Sequence, residues 1–173
     1  FQYFARQLST FKQPFFSAIF SLSSHHPFIV PPQYKNKFPK GPIPVLECMG
    51  YTDLALRRFF ETAAKTDWFK NTIFVISADH ATETFHPEYK TAWGEVAIPI
   101  IIYEPGNPHF KGESERIIQQ IDVMPTLLHM IHYPKPFVAF GKDVFDSQSL
   151  NFSVSYGGAY RWIQDDYLLF FDG

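Results

Sequence analysis

The sequence predicts an α/β domain with a largely parallel core and a small antiparallel tail. Two apolar, β-branched runs, Ile73–Ala78 and Ile98–Tyr103, show no polar alternation, as expected of strands buried on both faces. A long stretch of helical periodicity precedes the first of them. Long strands alternating with helices imply a mixed, mostly parallel sheet between helices. Near the end of the chain, three short aromatic-rich runs separated by turn pairs read as a meander.

Taken in order, Phe1–Thr10 reads as the tail of a helix or a loop. Phe15–Leu22, short and aromatic, reads as a buried strand that stops at Ser23-Ser24-His25-His26-Pro27. Six prolines between Pro27 and Pro44 exclude a helix or central strand there, so an irregular surface excursion is expected. From about Val45 to Phe69, Leu46, Met49, Leu54, Leu56, Phe59, Phe60 and Ala63 recur at helical spacing, and Asp53 sits four before Arg57 as a favourable pair. The Ile73–Ala78 strand ends in Asp79-His80. Ala81–Val96 is polar and loop-like, and Pro105-Gly106 stops the Ile98–Tyr103 strand. Ile117–Ile121 reads as a short strand. Asp122-Val123-Met124-Pro125-Thr126-Leu127-Leu128 has the look of a helix start, with Asp122 as cap and proline in the first turn. The tail strands are Phe152–Tyr156, Tyr160–Gln164 and Tyr167–Phe171, divided by Gly157-Gly158 and Asp165-Asp166.

Composition narrows the function. At 173 residues, with 46% hydrophobic and 18% charged residues, the chain fits one compact domain or a piece of a larger one. A formal net charge of -2 gives no general field for nucleic acid or anionic lipid. Cys48 alone excludes an internal disulfide framework and a multi-cysteine zinc site. No apolar run reaches the roughly 18 residues that span a bilayer. The chain begins with Phe1 rather than Met and so reads as cut from something longer.

Ligands of open α/β sheets bind beyond the carboxyl ends of the strands. Two predicted strands end in side chains able to hold a metal or an anion, at His25-His26 and at Asp79-His80. Within a strand, neighbouring side chains point to opposite faces; just past its end the backbone is free to turn both toward one ion. A carboxylate with an imidazole suits manganese or zinc better than magnesium or calcium. On the residues alone the plainer reading is favoured at both places: Asp79 as a turn cap with His80 a polar loop residue, and His25-His26 as a hydrogen-bonded pair leading into a proline turn.

The order of the motifs adds to this reading. Ser24-His25-His26-Pro27-Phe28, then Tyr51-Thr52-Asp53-Leu54-Ala55-Leu56 with Phe59-Phe60, then Asn71 to His80, resembles the sulfatase-like domain of the lipoteichoic acid synthase group in the alkaline phosphatase superfamily. Ile98 to Gly106, Gln120 to Leu128 and Gly141-Lys142-Asp143-Val144-Phe145 resemble the segments that follow there. The resemblance implies an alkaline-phosphatase-like fold, with 1–149 the C-terminal half of a sulfatase-like domain and 150–173 a small antiparallel β tail of it. It implies metal-dependent cleavage or transfer of a phosphate or sulfate ester. One divalent ion, manganese favoured over zinc, magnesium or calcium, would be held by Asp79 and His80. By the same resemblance His25 contacts the ester, where it would hold an ester oxygen or protonate the leaving alkoxide, with His26 a neighbour in the substrate site. Lys90 is the nearest match for a lysine that related sulfatases place beyond the Asp-His pair, although a solvated loop lysine is the favoured reading there.

The chain also departs from that pattern. Such enzymes carry a Thr, or a modified Cys or Ser, as nucleophile on the first strand of the domain, with a further acidic ligand upstream. Ser9 and Thr10 lack that strand, and Cys48 lacks the context. The expectation is therefore that the nucleophile and remaining ligands lie in an upstream half, which is the chain's expected partner, and that the fragment alone is inactive. Membrane association is expected only through segments absent here, and the domain on the extracytoplasmic side. A phosphoethanolamine-type transferase is the alternative within the class, disfavoured by Ala81-Thr82-Glu83 after the Asp-His pair. A non-catalytic binding or scaffold domain is the alternative outside it. Glu83, Glu88, His86, His109, His129 and His132 read as structural or surface residues.

Overall fold

The computed structural model describes residues 1–172. Three α-helices lie among them: α1 (Gln2–Leu8), α2 (Val45–Ala63) and α3 (Val123–Met130). Five strands form two sheets, β1 (Phe74–Ser77) beside β2 (Ile100–Tyr103), and β3 (Phe152–Tyr156), β4 (Tyr160–Gln164) and β5 (Tyr167–Phe171) in that order. The chain divides into two compact units: residues 1–76, 82–90 and 101–111, and residues 77–81, 91–100 and 112–173.

The first unit is built on aromatic burial. Ala5 and Leu8 of α1 meet Phe59 and Ala63 of α2 and Trp68 beyond it, and Phe4, Phe15, Phe60, Phe69 and Phe74 close around them. The rings meet mostly edge to face, Phe59 on Phe74 at 6.1 Å and Phe60 on Phe74 at 5.1 Å between centroids. That is the geometry the ring quadrupole favours. The periodicity of α2 thus follows one buried stripe, with the exposed Asp53–Arg57 pair at 3.4 Å on the far side. The helix ends at Ala63 rather than continuing to Phe69, where Trp68 and Phe69 turn back into the aromatic cluster.

Phe15–Leu22 is not a strand. Phe15 packs on Trp68, but Phe16 and Leu22 are 87% and 72% exposed and the run has no ladder partner among the described residues. Strand propensity shows only that a pleated, half-buried surface would suit these residues; a strand also needs a neighbour to take its backbone groups. Ile117–Ile121 is likewise not a strand, and a 3₁₀ turn begins at Gln120. β1 is half-buried along most of its length rather than sealed on both faces.

The second unit buries few apolar side chains and is held by directed hydrogen bonds. The three tail strands form the expected meander, with Val154 opposite Trp162 and Trp162 opposite Leu169. Gly158 and Asp165, both at positive φ, make its two turns, as short hairpin loops require. Phe152 stacks on Trp162 at 4.5 Å, and the Lys142 ammonium lies 4.2 Å from the centre of the Phe152 ring. Arg116 clasps the 144–151 segment, donating to Asn151 Oδ1 and to the carbonyls of Val144, Asp146 and Ser149.

Asp122 begins α3 but does not cap it. Its carboxylate, 1% exposed, accepts instead from the backbone N–H of Gln119 at 2.8 Å and of Lys142 at 2.9 Å. Thr126 extends the clamp by donating to the Asp122 carbonyl and accepting from the Val144 N–H. Space for the 141–142 turn exists because residue 141 is glycine; a Cβ there would collide with the Ile121 carbonyl.

Candidate functional site

Asp79 and His80 stand where β1 has ended at Ser77, so the backbone is no longer pleated and both side chains reach the same side. Asp79 Oδ2 lies 3.4 Å from His80 Nε2. The other polar atoms of the pair are engaged. Asp79 Oδ1 accepts from the His80 backbone N–H at 3.0 Å, and His80 Nδ1 meets the Ala81 carbonyl at 2.7 Å. A carbonyl only accepts, so Nδ1 carries the hydrogen and the neutral ring presents a lone pair at Nε2. Both side chains are more than half exposed, which leaves Oδ2 and Nε2 open to a ligand.

This donor set fits a divalent ion. Two ligands each about 2.1 Å from one ion lie roughly 3 to 3.4 Å apart, and one carboxylate oxygen with one imidazole nitrogen suits manganese or zinc. Among the described residues no third His, Cys, Asp or Glu joins them into a cluster of three. The backbone beneath them is held by a residue that periodicity does not reveal. Gln120 Nε2 donates to the Ala78 carbonyl at 2.8 Å and to the Asp79 carbonyl at 2.9 Å. The Gln119-x-x-Asp122 spacing forms a capping box that closes the turn itself, and nothing in that spacing marks Gln120.

His25 and His26 belong to the first unit and form an arrangement of their own. His25 sits in a turn fixed on both sides, its N–H bonded to the Leu22 carbonyl and its carbonyl to the Phe28 N–H. Ser24 Oγ, 3.3 Å from Thr52 Oγ1, ties that turn to α2. His25 Nδ1 donates to the His26 carbonyl at 3.0 Å, leaving Nε2 directed to solvent. His26 turns to the Phe28 ring, 4.2 Å away between centroids.

Two of the remaining histidines have local partners. His86 lies on Phe85 and beside Glu88, and His129 Nδ1 pairs with Asp143, whose other oxygen accepts from the Phe145 N–H. Lys90 and Glu83 are exposed loop residues.

The helices and sheets make an α/β protein, and its fold is that of the alkaline phosphatase superfamily. A protein of that superfamily from Vibrio parahaemolyticus superposes with a TM-score of 0.77 at 26% identity, covering 98% of this chain and 41% of its own. The family profile described as Sulfatase matches residues 1–133, and the chain belongs to that family. It is similar to lipoteichoic acid synthase 1 of Bacillus subtilis, 27% identical over 80% of this chain and 24% of the relative. The lipoteichoic acid synthase-like YvgJ of Bacillus subtilis is 26% identical over 95% of this chain and 30% of its own length. The lipoteichoic acid synthase of Staphylococcus aureus is 26% identical over 78% of this chain and 23% of its own. The chain therefore spans about a quarter of the length of these curated relatives.

Proposed function

We propose that this chain supplies the Asp-His metal ligands and an ester-contacting histidine to a sulfatase-family domain that hydrolyses or transfers a phosphate or sulfate ester. The observation that carries the reading is the Asp79–His80 pair, two free donor atoms 3.4 Å apart just past the end of β1. A bound divalent ion, manganese favoured, would lower the pKa of a hydroxyl nucleophile and neutralise charge on the ester oxygens. Asp79 contributes one carboxylate oxygen, its other oxygen being occupied by the His80 N–H; His80 contributes Nε2, its tautomer set by the Ala81 carbonyl. His25, with Nδ1 tied to the His26 carbonyl, offers Nε2 to hold an ester oxygen or to pass a proton to the departing alkoxide. His26 flanks it. The nucleophile and the further ligands come from an upstream half of the same domain, and residues 150–173 are the tail of that domain. The similarity to lipoteichoic acid synthases supports phosphoryl transfer on the extracytoplasmic side of a membrane. No helix among the described residues is long and apolar enough to cross one.

Calorimetry with manganese and zinc on the intact protein tests the reading. One ion should bind per site, and Asp79→Ala should abolish binding. His25→Ala should leave metal affinity unchanged while lowering turnover of a phosphate ester roughly 100-fold or more, the scale of a lost general acid. Binding that survives Asp79→Ala would overturn the assignment.

A further inference from the structure

We propose that Gln120 is a positioning residue for the Asp79–His80 donor pair; the inference rests on the metal reading above and extends it to a residue outside the ligand set. A side-chain amide nitrogen has two hydrogens, and both of those on Gln120 Nε2 are spent on the Ala78 and Asp79 carbonyls. The two carbonyls bracket the peptide that leads into Asp79. Fixing both of them fixes the plane of that peptide and of the next, whose N–H is the His80 donor to Asp79 Oδ1. Gln120 thus decides, through the backbone, which carboxylate oxygen remains open and how far it stands from His80 Nε2. The Ser77 hydroxyl reinforces one end by donating to the Ala78 carbonyl at 2.8 Å.

Gln120 is able to do this because its own backbone does not move freely. It lies in the 3₁₀ turn between Gln119 and Asp122, and the buried Asp122 carboxylate ties that turn to Lys142. Gln119 Oε1 accepts from the Val154 N–H at 2.9 Å, anchoring the same turn to β3. An exposed side chain with long rotamer freedom is in this way mounted on a turn tied at three points. Partners of this kind, which touch a ligand's support rather than the ion, typically change metal affinity by about 10–100-fold when lost.

The test is calorimetry with manganese on the intact protein, comparing wild type, Gln120→Met, Gln120→Glu and Asp79→Ala, with metal-free melting temperature as the control. Gln120→Met keeps the side-chain length but not the donors, and should weaken binding about 10–100-fold at an unchanged metal-free melting temperature. Gln120→Glu turns an acceptor toward two carbonyls and should weaken it further. Unchanged affinity in Gln120→Met, with binding abolished in Asp79→Ala, would overturn the positioning role and leave the metal reading intact. A loss of affinity that merely follows a loss of metal-free stability would also overturn it. Absence of binding by the wild type would remove the metal reading and this inference together.

Discussion

The two compact units reach order by different means. In the first, Phe59, Ala63, Trp68, Ala5 and Leu8 exclude water together, and no single polar contact dominates. In the second, the most deeply buried side chains include Asp122 and Thr126, and position is set by Arg116, Asp122 and Gln119 bonding to backbone groups. Apolar packing is strong but non-directional, whereas a hydrogen bond fixes distance and angle. The candidate metal donors lie in the unit held by directed bonds, where placement within a fraction of an ångström matters to a ligand set.

Substitutions should separate the two modes. The largest effect is expected for Phe59→Ala, a cavity in the aromatic cluster costing about 3–5 kcal/mol in chemical denaturation. A cost under about 1 kcal/mol would mean that the cluster is loosely packed. Asp122→Ala orphans the N–H groups of Gln119 and Lys142 in a partly buried setting, at about 1 kcal/mol each. Asp122→Asn should recover part of this, since its amide oxygen still accepts. Arg116→Ala should cost roughly 2 kcal/mol and speed hydrogen exchange across 144–151, and Arg116→Lys should rescue little, because one ammonium cannot span four acceptors.

Smaller effects lie at the surface and at Cys48. Burial, with the neighbouring Glu47 carboxylate, pushes the Cys48 thiol above its ordinary pKa. The folded state therefore favours the protonated form. That contribution is fully present below the ordinary cysteine range and is lost as pH rises through the raised value, because the unfolded chain ionises first. Cys48 should react with a thiol reagent near pH 8 far more slowly in native protein than in denaturant. Equal rates would show that it is exposed. Arg57→Ala, which breaks only an exposed helix pair, should change stability by less than about 0.5 kcal/mol.

Elements with local causes were legible in the sequence. The α2 stripe, β1, β2 and the three tail strands follow from apolar spacing and from turn residues such as Gly158 and Asp165. That Asp79 and His80 follow a strand end was legible, and they stand 3.4 Å apart there. A ligand role for them came from the resemblance, because a place past a strand end suits a turn cap and a polar loop residue just as readily. Phe15–Leu22 misled because propensity does not report whether a neighbouring strand exists. Asp122 misled in another way: its helix-start context suggests a cap on α3, but the N–H of Gln119, three residues before it, and that of Lys142, twenty residues on, claim the carboxylate. Gln120 gave no signal at all, since a lone exposed amide bonding to carbonyls some forty residues away leaves no period in the chain.

The most direct test of the central claim is anomalous diffraction at the manganese edge from crystals of the intact protein grown with manganese. A single strong peak within bonding distance of Asp79 Oδ2 and His80 Nε2 is the predicted result. A metal peak that neither residue touches, or no peak at either side chain under saturating manganese, would contradict the account.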